Sequence, residues 1–415
     1  MTVTAEILAV GDELVHGALL DTNSKWIAGE LEAIGLVVRR FTVAGDDPEQ
    51  LRIVFAEACA RADVVVATGG LGPTLDDRTR DVVAGLLGGP LWFDEPSWDH
   101  LCGWLRQRGR PVPDSNRRQA MLPPGAVPLA NPVGTAPGFR VQAGLAQLFV
   151  LPGVPREMQV MLQGHVLPFV AAMPGLTPTA QLCLRVLGPS EALLGERIEP
   201  FMAPGRNPAV GITASGGLLT VRIVATAATR ADAHSACAAT AGELRPLLGD
   251  WLFAEGTAEL PEIVVQRLAR AGATLAVAES CTGGTIAARL VDIAGVSSVF
   301  RGGVVAYSND SKRELLGVPA ALLDTHGAVS EPVAAAMAQG ARERFGADVA
   351  IATTGIAGPD GGSAQKPVGT VCFALARAAG VRAWTVRIPD LGRSFVRDRA
   401  VFEIWRALLR EPLDA

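Results

Sequence analysis

Three lysines, Lys25, Lys312 and Lys366, stand against thirty-four arginines in this chain, and Tyr307 is its only tyrosine. Lysine and arginine differ in one respect that matters for chemistry: a desolvated lysine can lose its proton, while a guanidinium effectively never does. A lysine kept where arginine has replaced nearly all others is therefore a candidate reacting group. The stretch Ala306-Tyr307-Ser308-Asn309-Asp310-Ser311-Lys312 holds both rare residues. A partner for them is found upstream, in Leu275-Ala-Val-Ala-Glu-Ser-Cys-Thr-Gly-Gly284. This run reads as a strand that turns into a helix, with Ser280 and Thr282 at the helix N-terminus. Unpaired amides and a positive dipole end at such a place suit an oxyanion or a phosphate. Ser280 could be a nucleophile if a base activates it, or simply an N-cap. The only histidine after residue 260 is His326, placed in a turn, so a Ser-His-Asp triad would rest on it alone. A serine–lysine pair is the better fit, with burial holding Lys312 neutral to take the Ser280 proton. Tyr307 could bridge the pair or bind substrate. The alternatives are that Lys312 is a solvated helix residue ahead of Arg313 and Glu314, and that the neighbouring Cys281 is the nucleophile.

Two other glycine-rich runs follow apolar strands. Thr353-Thr354-Gly355-Ile356-Ala357-Gly358-Pro359-Asp360-Gly361-Gly362 leads to Lys366 and offers small residues whose amides can approach an anion; it can also be read as a long turn. Near the N-terminus, Gly69-Gly70-Leu71-Gly72-Pro73-Thr74-Leu75-Asp76-Asp77-Arg78-Thr79 opens a helix. Its glycines suit a phosphate and its carboxylates a divalent metal, and Glu13, in Gly11-Asp12-Glu13-Leu14, could add a third carboxylate. The alternative is that Asp76 and Asp77 only cap the helix.

The elements that must hold these residues alternate strand and helix. Ala5–Val10, Leu36–Thr42 and Val64–Ala67 read as strands, and Asn23–Ile34 and Pro48–Arg61 as helices, which implies a parallel, doubly wound sheet. Ligands on such sheets sit at the carboxyl ends of the strands. From about Pro174 the chain becomes proline-rich, and a small α+β module with strands Gln181–Leu187 and Leu218–Ala225 is expected. A third unit follows, with strands at Thr274–Glu279, Gly303–Tyr307, Val349–Thr353, Thr370–Leu375 and Val381–Ile388 and helices at Pro261–Ala271, Gly283–Leu290 and Arg397–Leu409. The expected domains are 1–170, 171–255 and 256–415, all of α/β or α+β class. With 49% apolar and 19% charged residues the chain has material for ordinary cores. A net charge of −5 and a pI near 5.7 disfavour a dedicated nucleic-acid binder. No apolar stretch approaches the ~20 residues that span a membrane, and no secretory signal is evident. The six cysteines show no CxxC or zinc spacing. Free thiols in a reducing cytoplasm are expected.

Several of these runs resemble one family. AESCTGG, VVAYSNDSK followed by LLGV, HGAVSEPVA, TTGIAGPDGG and KPVGTV, spread from about Leu260 to the C-terminus, are similar to the C-terminal domain of the CinA family, a nicotinamide-nucleotide amidohydrolase. The resemblance implies conversion of nicotinamide mononucleotide to nicotinate mononucleotide and ammonia, with no cofactor. It makes Ser280 the nucleophile, with Lys312 and Tyr307 activating it. Thr354, Gly355 and Ala357 would line the substrate and oxyanion region beside Thr282 and Gly283, and Arg393 and Arg397 would bind phosphate. The family often has an acidic residue before the first of these arginines, where this chain has Gly392. The N-terminal runs GDELVHGALLDTNSKW, GGLGPTLDDRT, NRRQAMLPPGA, NPVGTAPGF and LPGVPREM resemble the CinA N-terminal domain and, more distantly, the molybdopterin-binding fold of MoaB and MogA. The pterin-type proteins have GGTG and an arginine where Leu71 and Asp76 stand. This resemblance implies a metal-dependent ADP-ribose pyrophosphatase with a second site at Glu13, Asn23, Lys25, Gly70, Asp76, Asp77 and Arg156, the metal held by Glu13, Asp76 and Asp77. A cytoplasmic homodimer acting on small nucleotides is expected, without membrane or direct nucleic-acid partners. Two other readings stay open: a regulatory protein of competence and recombination, and pterin binding by the first domain.

Overall fold

The structure, a computed structural model, describes residues 3–411. Two compact units make up the chain. The first runs up to residue 182 and takes in 192–212 and 221–249; the second comprises 183–191, 213–220 and the chain from residue 250 onward.

The first unit is built on a six-stranded sheet in the order Val37–Ala44, Thr4–Val10, Val64–Thr68, Ala146–Leu151, Gly138–Ala143, Val127–Leu129. The first four strands are parallel and the last two antiparallel. The sheet is thus mixed rather than wholly parallel, because a hairpin through Gly144 (φ 58°) extends it. Strand alternation divides the core between the two faces. Ala5 and Ile7 pack with Ile27 and Leu31 on one side, and Leu8 and Val10 pack with Leu51 and Phe55 on the other. The helices Thr22–Ala33 and Pro48–Arg61 start where Asp21 and Asp47 accept the amides of Ser24 and Gln50, both at 2.9 Å. Pro48 presets the first turn of the second. Phe55 is fully buried, worth roughly 1.5–3 kcal/mol relative to exposure.

The segment between the flanking sheets holds four strands in the order Ala209–Ser215, Leu218–Thr226, Thr179–Val186, Leu252–Glu255, with helices Glu191–Ile198 and Arg230–Leu248. Residues 171–255 are divided between the two units.

In the second unit a five-stranded sheet runs Phe300–Val305, Leu275–Glu279, Val349–Gly355, Thr370–Arg377, Gly380–Arg387. The first three strands are parallel and the last two antiparallel. Leu275 and Val277 face the helices Leu260–Arg270 and Arg393–Arg410 through Val264, Leu268 and Trp405. Ala276 and Ala278 face the helix Glu331–Phe345 through Val333, Met337 and Ala341. Small residues let that second helix come close. Gly340 lies where an added Cβ would stand 1.9 Å from the Leu316 carbonyl oxygen, at the end of the helix Asn309–Leu316. All six cysteines are free and buried. Among the described residues no helix is long and apolar enough to cross a membrane.

Candidate functional site

Leu275–Glu279 ends at a buried sheet edge, and the chain turns through Ser280-Cys281-Thr282-Gly283-Gly284 before the helix Thr285–Val291 begins. Gly283 (φ 64°) and Gly284 (φ 92°) are both left-handed, a conformation glycine adopts without strain. They lengthen the turn, so Ser280 and Thr282 do not sit at the helix N-terminus as the sequence suggests. Glu279 fills that place instead. Its fully buried carboxylate accepts the amides of Gly284 at 3.0 Å, Ile286 at 3.1 Å and Ala287 at 2.9 Å. The dipole end is thereby neutralised from inside the protein. The Ser280 amide is anchored to the Thr353 carbonyl at 3.0 Å. The Thr282 hydroxyl lies 2.8 Å from that of Thr353. The amides of Cys281 and Thr282 donate to no other residue among those described.

Lys312 comes from the helix Asn309–Leu316, which starts where the Ser308 hydroxyl accepts the Ser311 amide at 3.0 Å. It is 1% exposed, and its Nζ lies 3.2 Å from Ser280 Oγ, 2.9 Å from the Ala306 carbonyl and 3.3 Å from the Tyr307 carbonyl. As an ammonium, Nζ donates to all three. As a neutral amine it keeps two hydrogens for the carbonyls, and its lone pair accepts from the Ser280 hydroxyl. Burial favours the neutral form by pushing the pKa of Lys312 down. The neighbouring Cys281 is buried in the apolar core, where desolvation pushes its thiol up to about 12. At neutral pH it is a protonated thiol, a poor nucleophile.

The remaining expected residues form the surroundings. Arg397 donates to the Thr282 carbonyl at 2.9 Å and to Thr285 Oγ1 at 3.0 Å, lying against Gly283. Arg393 donates to the Gly358 carbonyl at 2.8 Å and the Tyr307 hydroxyl at 3.0 Å. Both arginines lie in the first two turns of the terminal helix, which starts at Arg393 rather than the expected Arg397. Tyr307 is 62% exposed. Its phenol belongs to the Arg393 side, and only its backbone carbonyl meets Lys312. Thr354 is buried and donates to the Ala328 carbonyl at 2.8 Å. Gly355 is packed so closely that an added Cβ would stand 2.8 Å from Val371 and 3.1 Å from Cys281 Sγ. Ala357 is buried in the same core. His326 is the exposed last residue of the helix Ala320–His326, not part of a turn. Its carbonyl accepts from Lys366 Nζ at 2.7 Å. Lys366 thus ties the second glycine-rich loop to a helix end. Glu279 is the residue that sequence reasoning missed; a lone acid closing an apolar strand was its only signal.

In the first unit, a cavity of about 560 Å³ lies at the carboxyl ends of the parallel strands. Glu13, Gly70, Asp76 and Asp77 line it, together with Asp46, Gln119 and Glu157, which were not expected. Asn23 supports the wall by donating to the Gly153 carbonyl at 2.8 Å. Lys25 and Arg156 are exposed and lie outside the lining. The helix begins at Thr79, with Arg78 as its N-cap, so neither Asp76 nor Asp77 caps it. Asp77 instead accepts the amides of Gly72 at 2.7 Å and Thr74 at 2.9 Å and folds the glycine-rich turn. Arg80, 1% exposed, donates to the Leu71 and Gly72 carbonyls from behind. Desolvation raises the pKa of Asp46, and the charges of Asp12, Glu13 and Asp76 add to this. Burial likewise raises Glu157, against the opposing bond from Asn131 at 2.7 Å. Oxygen donors of this kind suit a hard divalent cation, yet among the described residues no three acidic, histidine or cysteine side chains converge as ligands. Glu13, Asp76 and Asp77 as placed do not form a metal site.

Comparison with known proteins finds three families along the chain. The CinA C-terminal domain family matches residues 257–411, the "probable molybdopterin binding domain" family residues 6–172, and the damage-inducible protein CinA KH domain family residues 182–254. A CinA-like protein of Anaeromyxobacter dehalogenans is 44% identical over 398 residues, covering 96% of this chain and 97% of that protein. A protein of Shewanella oneidensis named nicotinamide-nucleotide amidohydrolase PncC is 40% identical over 409 residues, covering 98% of this chain and 96% of its own. The crystal structure of the competence/damage inducible protein CihA from Agrobacterium tumefaciens is 42% identical, covers 38% of this chain and 99% of that one, and has a TM-score of 0.36.

Proposed function

The chain belongs to the CinA family, and from that premise we propose that its second unit is an amidase that deamidates nicotinamide mononucleotide through a serine–lysine pair. The observation that carries this reading is the 3.2 Å contact between Ser280 Oγ and the buried Nζ of Lys312. The name of the Shewanella relative supports the substrate. Neutral Lys312 takes the hydroxyl proton as Ser280 Oγ attacks the carboxamide carbon. The carbonyl electron pair moves to oxygen, and the amides of Cys281 and Thr282, which donate to no other residue among those described, are the candidate donors for that oxyanion. Collapse of the intermediate breaks the C–N bond, Lys312 returns its proton to the leaving nitrogen, and ammonia departs. Water then attacks the resulting ester, again through Lys312, releasing nicotinate mononucleotide and regenerating the serine. Arg393 and Arg397, on the rim, would hold the 5′-phosphate as bidentate donors. The test is ammonia release from nicotinamide mononucleotide by the full chain without added metal. Ser280→Ala should abolish it and Cys281→Ala should leave it largely intact. Loss of turnover in Cys281→Ala alone would make the thiol the nucleophile and overturn the reading.

A second reading concerns the first unit. Its cavity, lined by a glycine-rich turn and by Asp46 and Glu157 with raised pKa values, suits cleavage of ADP-ribose to AMP and ribose 5-phosphate. Titration of the protein with ADP-ribose and with a pterin, in parallel, tests it; tighter binding of the pterin would remove this reading.

A further inference from the structure

A second cavity of about 570 Å³ lies in the second unit, against the face of the terminal helix that carries Phe395, Arg399 and Phe402. Neither Ser280 nor Lys312 lines it. Its size falls within the roughly 300–1,000 Å³ usual for small-ligand sites. Trp405, 2% exposed, forms part of the wall. The wall also holds Arg289 and Arg399, each tied to one carboxylate: Arg289 to Asp398 at 3.2 Å and Arg399 to Glu403 at 2.9 Å. A guanidinium has five N–H donors, so both arginines keep others for an anion. Arg399 also covers the Phe402 ring, 4.4 Å from its centroid, and Phe395 adds a second, 39% exposed ring. The turn at Gly217 closes the far side so tightly that a Cβ there would stand 2.4 Å from Arg399.

We propose that this cavity binds a nucleoside monophosphate as an effector. The rings take the base, and Arg289 and Arg399 take the phosphate. The site is wired to the chemistry by two elements. Arg289 belongs to the helix Thr285–Val291 that follows the Ser280 turn, and Arg399 is on the terminal helix, two residues beyond Arg397, which holds the Thr282 carbonyl. Occupancy would draw both helices and so adjust the Ser280 turn. The effector role rests on the amidase reading above; the binding does not.

The experiment titrates AMP by calorimetry into the full-length Ser280→Ala chain saturated with nicotinamide mononucleotide, so that the reaction site is filled and silent. AMP should still bind. Arg399→Ala and Phe402→Ala, each on the Ser280→Ala background, should weaken this binding about tenfold or more, a loss of about 1.4 kcal/mol, and inorganic phosphate alone should bind far more weakly than AMP. Arg399→Gln, which keeps most of the side chain and removes the charge, should also weaken it and serves if the alanine variants fail to fold. In the chain with Ser280 intact, AMP should shift the KM for nicotinamide mononucleotide, and Arg399→Ala should remove that shift. No AMP binding under saturation, or equal affinity in all the variants, would overturn the proposal. Phosphate binding as tightly as AMP would reduce it to an anion site and overturn the nucleoside assignment.

Discussion

At the scale of single residues, the protonation of Lys312 governs the proposed reaction. Burial lowers its pKa, so activity should rise with pH along a limb set below the ordinary lysine value of about 10.4. Lys312→Arg keeps the positive charge but cannot act as a base, and kcat should fall by about 10²–10⁴-fold. A rate profile of the two proteins against pH checks both statements; unchanged kcat in the arginine variant would remove Lys312 from the chemistry. The same shift enters stability with a definite sign. Between the lowered folded pKa and about 10.4, the folded chain binds fewer protons at this site than the unfolded chain, so its contribution to stability rises with pH. It is fully present above the unfolded value and lost as pH falls through the window. Lys312→Met should lack this rise, as urea melts at several alkaline pH values would show.

At the scale of elements, the turn after Glu279 and the lysine-bearing helix must meet within a hydrogen bond's length. Gly340 helps set that meeting by letting the helix Glu331–Phe345 pass against the Leu316 carbonyl. Gly340→Ala should force the helix Asn309–Leu316 outward, destabilise the protein by about 1–3 kcal/mol and lower kcat more than it raises KM; thermal melts and steady-state kinetics read both. Sequence patterning made much of this frame legible. Pro48–Arg61 is found at its expected bounds, because Asp47 and Pro48 declare its start. The strand ahead of Ser280 and the body of the terminal helix follow from their apolar residues, whereas the polar helix Asn309–Leu316 is not among the elements expected from the sequence. What could not be read is where short-range polar groups go. Glu279 rather than Ser280 occupies the helix N-terminus because two left-handed glycines reshape the turn. Asp77 folds its own loop instead of capping a helix. The hairpin through Gly144-Leu145 lacks the Asn-Gly or Asp-Gly signature that announces such turns. Each of these outcomes depends on tertiary geometry, not on local preference.

At the scale of the whole molecule, the two candidate sites share no residue and fall in different units. On the proposed readings their activities should be separable in one polypeptide. Ser280→Ala should end ammonia release and leave ADP-ribose cleavage within about twofold, the range expected for independent sites. Glu157→Gln should do the reverse. Loss of both activities in either variant, with the fold retained, would show that the two sites do not act independently. The buried thiols carry a consequence of another kind. Cys59, Cys102 and Cys237 belong to the first unit and Cys183, Cys281 and Cys372 to the second, so an alkylating reagent can reach each only when its surroundings open. The rate at which each peptide gains mass is then a clock for local breathing, three per unit. Read against reagent concentration, it would reveal whether the halves of this chain come apart in one cooperative step or in two.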